Sequence, residues 1–205
     1  MNQSAEVFQI GGQISGILVR CSTASELTTR LFFQTPDGDN SSLIQTTWFE
    51  GGDWMRFSYT ENGEEILLHR SDLSKPPAPA SAGRLDQAIP SYAAHGVLTG
   101  LLRDGGESAD FVQFQESVHP VPQESRFVVE GFESIRIGNQ ALVTKKVQLY
   151  SDGKRSNTFW TRNEAVVKSD WGGAESYLVN DVESALDAMG TALRSKVQKF
   201  LSTSR

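Results

Sequence analysis

A single cysteine, Cys21, in 205 residues rules out an intramolecular disulfide, so stability has to come from packing. Basic residues are also outnumbered. The 19 lysines and arginines against 25 acidic residues leave a net charge of −6, which gives no long-range attraction to a phosphate backbone and weighs against a nucleic-acid partner. Long apolar runs are missing, and no segment approaches the length of a membrane span. The opening residues Met1-Asn2-Gln3-Ser4 lack the basic and apolar regions of a secretory signal. As written the chain reads as cytoplasmic, and as periplasmic or extracellular had a leader been cleaved from it.

The usual signatures of catalysis are equally scarce. Gly11-Gly12-Gln13-Ile14-Ser15-Gly16 has neither the nucleotide-binding spacing nor a following lysine, and it reads as a bend in a strand. The three histidines, His69, His95 and His119, lie far apart without a second ligand at metal-site spacing, so neither a metal nor a cofactor is expected. No serine occupies a Gly-x-Ser-x-Gly elbow, and Cys21 has no neighbouring group to activate it. If the chain is an enzyme, its proton-transfer groups are His95 and His119 with Glu116 or Asp170 as the orienting carboxylate.

What the sequence does contain is period-two hydrophobicity punctuated by glycine turns. The first stretch reads as a strand around Phe8 to Arg20, broken by Gly11, Gly12 and Gly16, and a second around Leu27 to Phe33. Leu43 to Glu50, Trp54 to Thr60 and Glu64 to Arg70, joined through Gly51-Gly52-Asp53 and Glu61-Asn62-Gly63, predict a three-stranded meander. Residues 74–84, rich in proline, alanine and serine, read as an internal loop of one domain spanning 1–205.

After Pro90, Ser91 to Arg103 has the apolar spacing of a helix, with Gly96 and Gly100 marking close approach to the sheet. A second meander follows: Asp110 to Glu116, Phe127 to Phe132, Ser134 to Ile137, Ala141 to Tyr150, Lys154 to Arg162, Ala165 to Trp171 and Ser176 to Val179. A two-residue Asp152-Gly153 loop would place Leu149 opposite Ser156, Val147 opposite Thr158 and Lys145 opposite Trp160. Lys145-Lys146 and Lys154-Arg155 read as solvated faces. The last segment, 181–203, opens on the capping pattern Asn180-Asp181-Val182-Glu183. It carries Val182, Leu186, Met189, Leu193, Val197 and Phe200 as one apolar stripe, the mark of a helix laid on a sheet.

The aromatics Trp48, Trp54, Tyr59, Tyr92, Phe111, Trp160 and Trp171 fall on several elements, and a curved sheet would gather some of them onto a wall suited to a lipid or flat organic ligand. Leu85 to Leu102, led in by Ile89-Pro90-Ser91-Tyr92, and Glu130 to Tyr177, with Gly131, Gly138, Asp152-Gly153, Thr158-Phe159-Trp160 and Val166 to Trp171, resemble bacterial β-meander domains of unknown function. Those domains are similar to the half-barrel fold of periplasmic lipoprotein carriers. The resemblance implies a sheet wrapped around helices that shelters an acyl chain, although no lipid-attachment cysteine stands near the start of this sequence.

The fold class expected is therefore mainly β: a large antiparallel meander or open half-barrel, with one internal helix and a C-terminal amphipathic helix packed on it. Three functions follow from this reading. The first is a binding or carrier domain for a hydrophobic small molecule or lipid held between sheet and helices. The second is a small cofactor-independent enzyme, such as an isomerase, cyclase or lyase, using a histidine and carboxylate pair. The third is a structural or protein-interaction module. No feature specifies an oligomeric state.

Overall fold

The computed structural model describes residues 2–73, 85, 87–117 and 120–203. The loop expected over 74–84 lies outside the described residues. Strands β1 (Asn2–Ile10), β2 (Gln13–Ser22), β3 (Glu26–Gln34), β4 (Asn40–Glu50), β5 (Asp53–Glu61) and β6 (Glu64–His69) follow one another through short turns. Then come β7 (Ile89–Pro90), helix α1 (Ala94–Arg103), β8 (Ser108–Phe114), β9 (Pro122–Ile137), β10 (Gln140–Ser151), β11 (Lys154–Arg162), β12 (Ala165–Asp170) and β13 (Ala174–Val179). Helices α2 (Val182–Asp187) and α3 (Thr191–Thr203) end the chain. The mainly β architecture with an internal helix and C-terminal helices agrees with the pattern in the sequence. Its strands form an open order and not a closed barrel.

Two compact units divide the chain, one formed by 1–68 with 173–205, the other by 69–172. In the first the strand order is β6-β5-β4-β3-β2-β1-β13. Gly11 and Gly12, both at positive φ, make a two-residue turn between β1 and β2, so the expected single bent strand is two strands of a hairpin. The glycine-rich bend sits one step later. Phe8 pairs with Gly16 but Gln9 pairs with Ile14, leaving Ser15 as a bulge. A Cβ on Gly16 would lie 1.9 Å from the Phe32 carbonyl oxygen, so only glycine lets β2 run this close to β3.

Val7, Ile17, Val19 and Phe32 form one sheet face, and Ala185, Leu186, Met189 and Val197 cover it. The Phe32 and Phe200 rings meet at 5.6 Å. The apolar stripe thus packs as its spacing predicts, but the continuous helix expected over 181–203 is two helices. Gly190 interrupts it: glycine disfavours a helix interior by about 1 kcal/mol, and the Gly190 carbonyl accepts from Arg194 N–H as the opening bond of α3. Asp181 caps α2 by accepting from the Ser184 N–H at 2.7 Å.

The opposite face of this sheet is also buried and carries charge. Glu6 and Arg20 form an ion pair, and Ser176 Oγ donates to the second Glu6 oxygen at 2.6 Å. Thr29 pairs in register with Arg20 on one side and Gln45 on the other, and Thr29 Oγ1 and Gln45 Oε1 have no hydrogen-bond partner among the described residues.

In the second unit the order is β12-β11-β10-β9-β8-β7, antiparallel except for the two-residue β7–β8 pair. Ala94, Leu98, Leu101 and Leu102 of α1 pack onto Phe127, Val147, Leu149, Phe159 and Val166. The expected break between Phe132 and Ser134 is absent, because β9 runs through as one strand with a bulge. Val147 pairs with Val129 and Lys146 with Gly131, so Glu130 is the extra residue and Gly131 sits at φ +121°. The β10–β11 hairpin is shifted in the same way. Ser151 pairs with Lys154 and Tyr150 with Arg155, but Leu149 pairs with Asn157, Val147 with Phe159 and Lys146 with Trp160. The Ser156 bulge corrects the expected register by one residue and moves Trp160 off the face that holds Val147.

Gly96 and Gly100 do not mark close approach, since a Cβ at either would meet nothing within 4 Å among the described residues. Gly96→Ala should therefore raise the unfolding free energy by about 1 kcal/mol. Gly16→Ala should lower it by at least about 1–3 kcal/mol through overpacking. Urea unfolding of the two variants beside the parent checks both signs.

Candidate functional site

The second unit places its functional candidates around α1. Ser91–Ala93 is a 3-10 turn leading into the helix, and Glu116 reaches it from the segment after β8. Its carboxylate accepts from Ser91 Oγ at 2.8 Å and from the Tyr92 N–H at 3.5 Å, a negative charge at the positive end of the helical segment. Burial pushes the Glu116 pKa up, and the hydrogen bonds from Ser91 and Tyr92 pull it partly back. His95 stands half-buried in the first turn of α1, three residues after Tyr92. Asp170 is occupied in its own turn, accepting from the Gly172 N–H at 2.8 Å. His119 lies outside the described residues.

The aromatic candidates separate into two groups. In the first unit Trp48 carries the Arg56 guanidinium 4.2 Å above its ring, Trp54 is buried against Phe57, and the Tyr59 hydroxyl donates to Glu61 at 3.0 Å. In the second, Phe111 stacks on Phe127 at 5.2 Å and Trp171 stands edge-on to Phe159 at 5.7 Å, both packed against the core beneath α1. Trp160 donates its indole N–H to Glu133 at 2.9 Å beneath the Lys168 ammonium. Burial also pushes the Cys21 thiol up, keeping it protonated and poorly nucleophilic.

Two cavities open among the described residues, and none of the seven aromatics lines either. One, of about 390 Å³, lies between the β1–β2 turn and the β3–β4 loop, walled by Ile10, Gln13, Ile14, Gln34, Thr35 and Pro36 among others, without a charged side chain. The other, of about 380 Å³, opens at the C-terminal end of α1 and has more varied chemistry. Leu102 closes it from the helix side. Phe132, Val143, Lys145 and Thr161 come from β9, β10 and β11, and Arg162, Asn163 and Glu164 from the end of β11 and the turn to β12.

This wall is built by the strand registers. Phe132 pairs with Lys145 and Lys145 with Thr161, so the three stand in one row across the sheet. Val143 and Val147 flank Lys145 on the same face of β10, and Val147 belongs to the core under α1. The Glu130 bulge decides the outcome: unbroken alternation from Val129 would turn Phe132 to the opposite face. Sequence reading missed the site for that reason. The one signal was Gly131 inside a strand pattern, which marks a bulge without stating its effect on phase.

The electrostatics are asymmetric. Lys146 lies 3.5 Å from Glu130 and 3.8 Å from Glu133, whereas neither Lys145 nor Arg162 has an ion-pair partner among the described residues. Asn163 and Glu164 form the β11–β12 turn at φ 50° and 65°, a left-handed conformation that costs a residue such as glutamate on the order of 1–2 kcal/mol. Among the described residues no three histidine, cysteine, aspartate or glutamate side chains gather where they could hold a metal. Among those same residues no helix is long and apolar enough to cross a membrane.

No family model and no curated protein matches the chain. Among solved structures, the hypothetical lipoprotein YmcC from Escherichia coli (K12) matches over 89% of this chain and 86% of its own, at 13% identity and a TM-score of 0.35. So loose a likeness leaves fold and site to be argued from the strands themselves.

The Glu116 environment has a pH signature. The folded chain holds this proton more tightly than an ordinary glutamate, so the residue's contribution to stability is present below the usual glutamate range and is lost as pH rises through the raised value. Glu116→Gln removes the titration while keeping an acceptor for Ser91 and Tyr92. The stability of the variant relative to the parent should therefore grow as pH rises through that window. Urea midpoints measured from pH 4 to about pH 8 check this, and a pH-independent difference would contradict the burial argument.

Proposed function

We propose that this chain is a binding or carrier domain for a hydrophobic small molecule or lipid, and that the cavity at the C-terminal end of α1 receives it. One observation carries the reading. Five large apolar side chains are exposed among the described residues, and two of them, Phe132 at 76% and Val143 at 64%, line this one cavity beside the buried Leu102. Scattered exposed apolar residues are ordinary, but apolar residues gathered in a concavity are a ligand surface. The cavity volume of about 380 Å³ falls at the small end of ligand sites, which run from about 300 to 1,000 Å³, and suits one chain better than a bulky ring system.

Magnitudes limit what the apolar wall contributes. Covering a phenylalanine or valine side chain yields about 1.5–3 kcal/mol, so Phe132 and Val143 together supply about 3–6 kcal/mol. That alone corresponds to roughly millimolar to sub-millimolar binding. A useful affinity requires the charged rim as well.

The test is titration with a fluorescent acyl-chain probe, dansyl-undecanoate, supported by native mass spectrometry of the freshly purified protein. Phe132→Ser and Val143→Ser should each weaken probe binding by about tenfold, equivalent to about 1.4 kcal/mol. Both residues are exposed, so their unfolding free energies should change by no more than about 0.5 kcal/mol. Unchanged probe affinity in both variants, or no binding by the parent, would remove this reading.

A further inference from the structure

Resting on that reading, we infer that the ligand is a singly charged anionic amphiphile, with Lys145 and Arg162 receiving its carboxylate or phosphodiester headgroup while the chain lies along Phe132, Val143 and Leu102. The argument begins from contrast. Lys145 and Lys146 are consecutive and half-buried, and they point to opposite faces of β10. Lys146 has two carboxylates within 4.0 Å. Lys145, on the cavity face, has none among the described residues, although the chain carries 25 acidic residues against 19 basic ones.

The Lys145 side chain is half-buried between Val143 and Val147 and has no ion-pair partner among the described residues, so its charge is left for an anion in the cavity to neutralise. The second cation strengthens the case. Arg162, exposed at the end of β11, lines the same cavity, also without an ion pair among the described residues. Its planar guanidinium offers paired donors to a carboxylate or phosphodiester. The Thr161 hydroxyl is already committed, donating to the Lys145 carbonyl at 3.3 Å, so the two cations and the Asn163 amide are the side-chain donors left on this wall.

Glu164 sets the charge limit. It lines the cavity from within the two-residue turn that follows Arg162, and with Lys145 and Arg162 it leaves the rim at a net charge of +1. A monoanion neutralises that rim, whereas a phosphate monoester dianion would add repulsion against Glu164. Amphiphilic chemistry is required because the cations and the exposed apolar side chains share one cavity.

Competitive titration with alkyl ligands of one chain length tests this. Laurate and dodecanol differ only at the headgroup, and lysophosphatidylglycerol carrying a lauroyl chain tests the phosphodiester as the source of charge. Laurate, the lysophospholipid or both should bind at least about tenfold more tightly than dodecanol, with the advantage shrinking at high salt. In the double variant Lys145→Gln, Arg162→Gln the advantage should fall to about onefold, and the melting temperatures of parent and variant confirm that both are folded. Equal affinity of the acidic ligands and dodecanol for the parent would overturn the headgroup assignment while leaving the apolar site standing. So would an advantage that survives the double substitution. No binding by any of the three would overturn the site itself, and this inference with it.

Discussion

An α-helix advances about 1.5 Å per residue and a strand about 3.3 Å, so the ten residues of α1 extend for about 15 Å while the sixteen of β9 extend for about 50 Å. The helix can roof only part of the strands it packs against. It covers Phe127, Val147, Leu149, Phe159 and Val166 and ends at Arg103, leaving Phe132 and Val143 exposed on the same face. An exposed apolar wall at the end of a helix is thus a consequence of length mismatch. The cavity lined by Leu102 and these two residues is where that mismatch opens to solvent.

A different constraint holds the first unit. Its helices use the face of β1–β3 that bears Val7, Ile17 and Phe32, and the other face is buried around Glu6 and Arg20. Two buried charges are tolerated only when their attraction and hydrogen bonds offset the lost hydration. Here Ser176 supplies a third group, and the Glu6 carboxylate thereby ties β1 to β2 on one side and to β13 on the other. Because β13 leads directly into α2, this polar contact fixes the strand from which the covering helices depart. The arrangement binds residues near the beginning of the chain to residues near its end, 170 positions apart.

Much of this is legible in the sequence. Asn62-Gly63 and Asp152-Gly153 take positive φ at both turn positions, as hairpins require, and the stripe from Val182 to Phe200 finds the sheet it needs. Faces were harder to read than strands. Period-two alternation assigns faces only while it is unbroken, and the bulges at Ser15, Glu130 and Ser156 each shift the phase by one residue. The consequence reached the site: Phe132 and Lys145 share a wall only because of the Glu130 bulge, and Trp160, expected opposite Lys145, instead pairs with Lys146. The aromatic residues are conspicuous by size, yet Phe111 and Trp171 serve the core, while the exposed Phe132 lines the cavity.

The β11–β12 turn connects this geometry to the proposed binding. A two-residue hairpin loop is cheapest with glycine, yet Asn163 and Glu164 occupy it here, and Glu164 lines the cavity rim together with Arg162, the residue before the loop. The strain of about 1–2 kcal/mol is the cost of keeping a side chain where glycine would have none. That side chain is acidic and stands beside two cations, so it limits how strongly the rim attracts an anion. With an apolar wall worth only a few kcal/mol and a rim restrained to a single net positive charge, the proposed site would have the energetics of reversible capture. The carrier role proposed for it would need that balance, because a ligand bound much more tightly could not be released within a useful time.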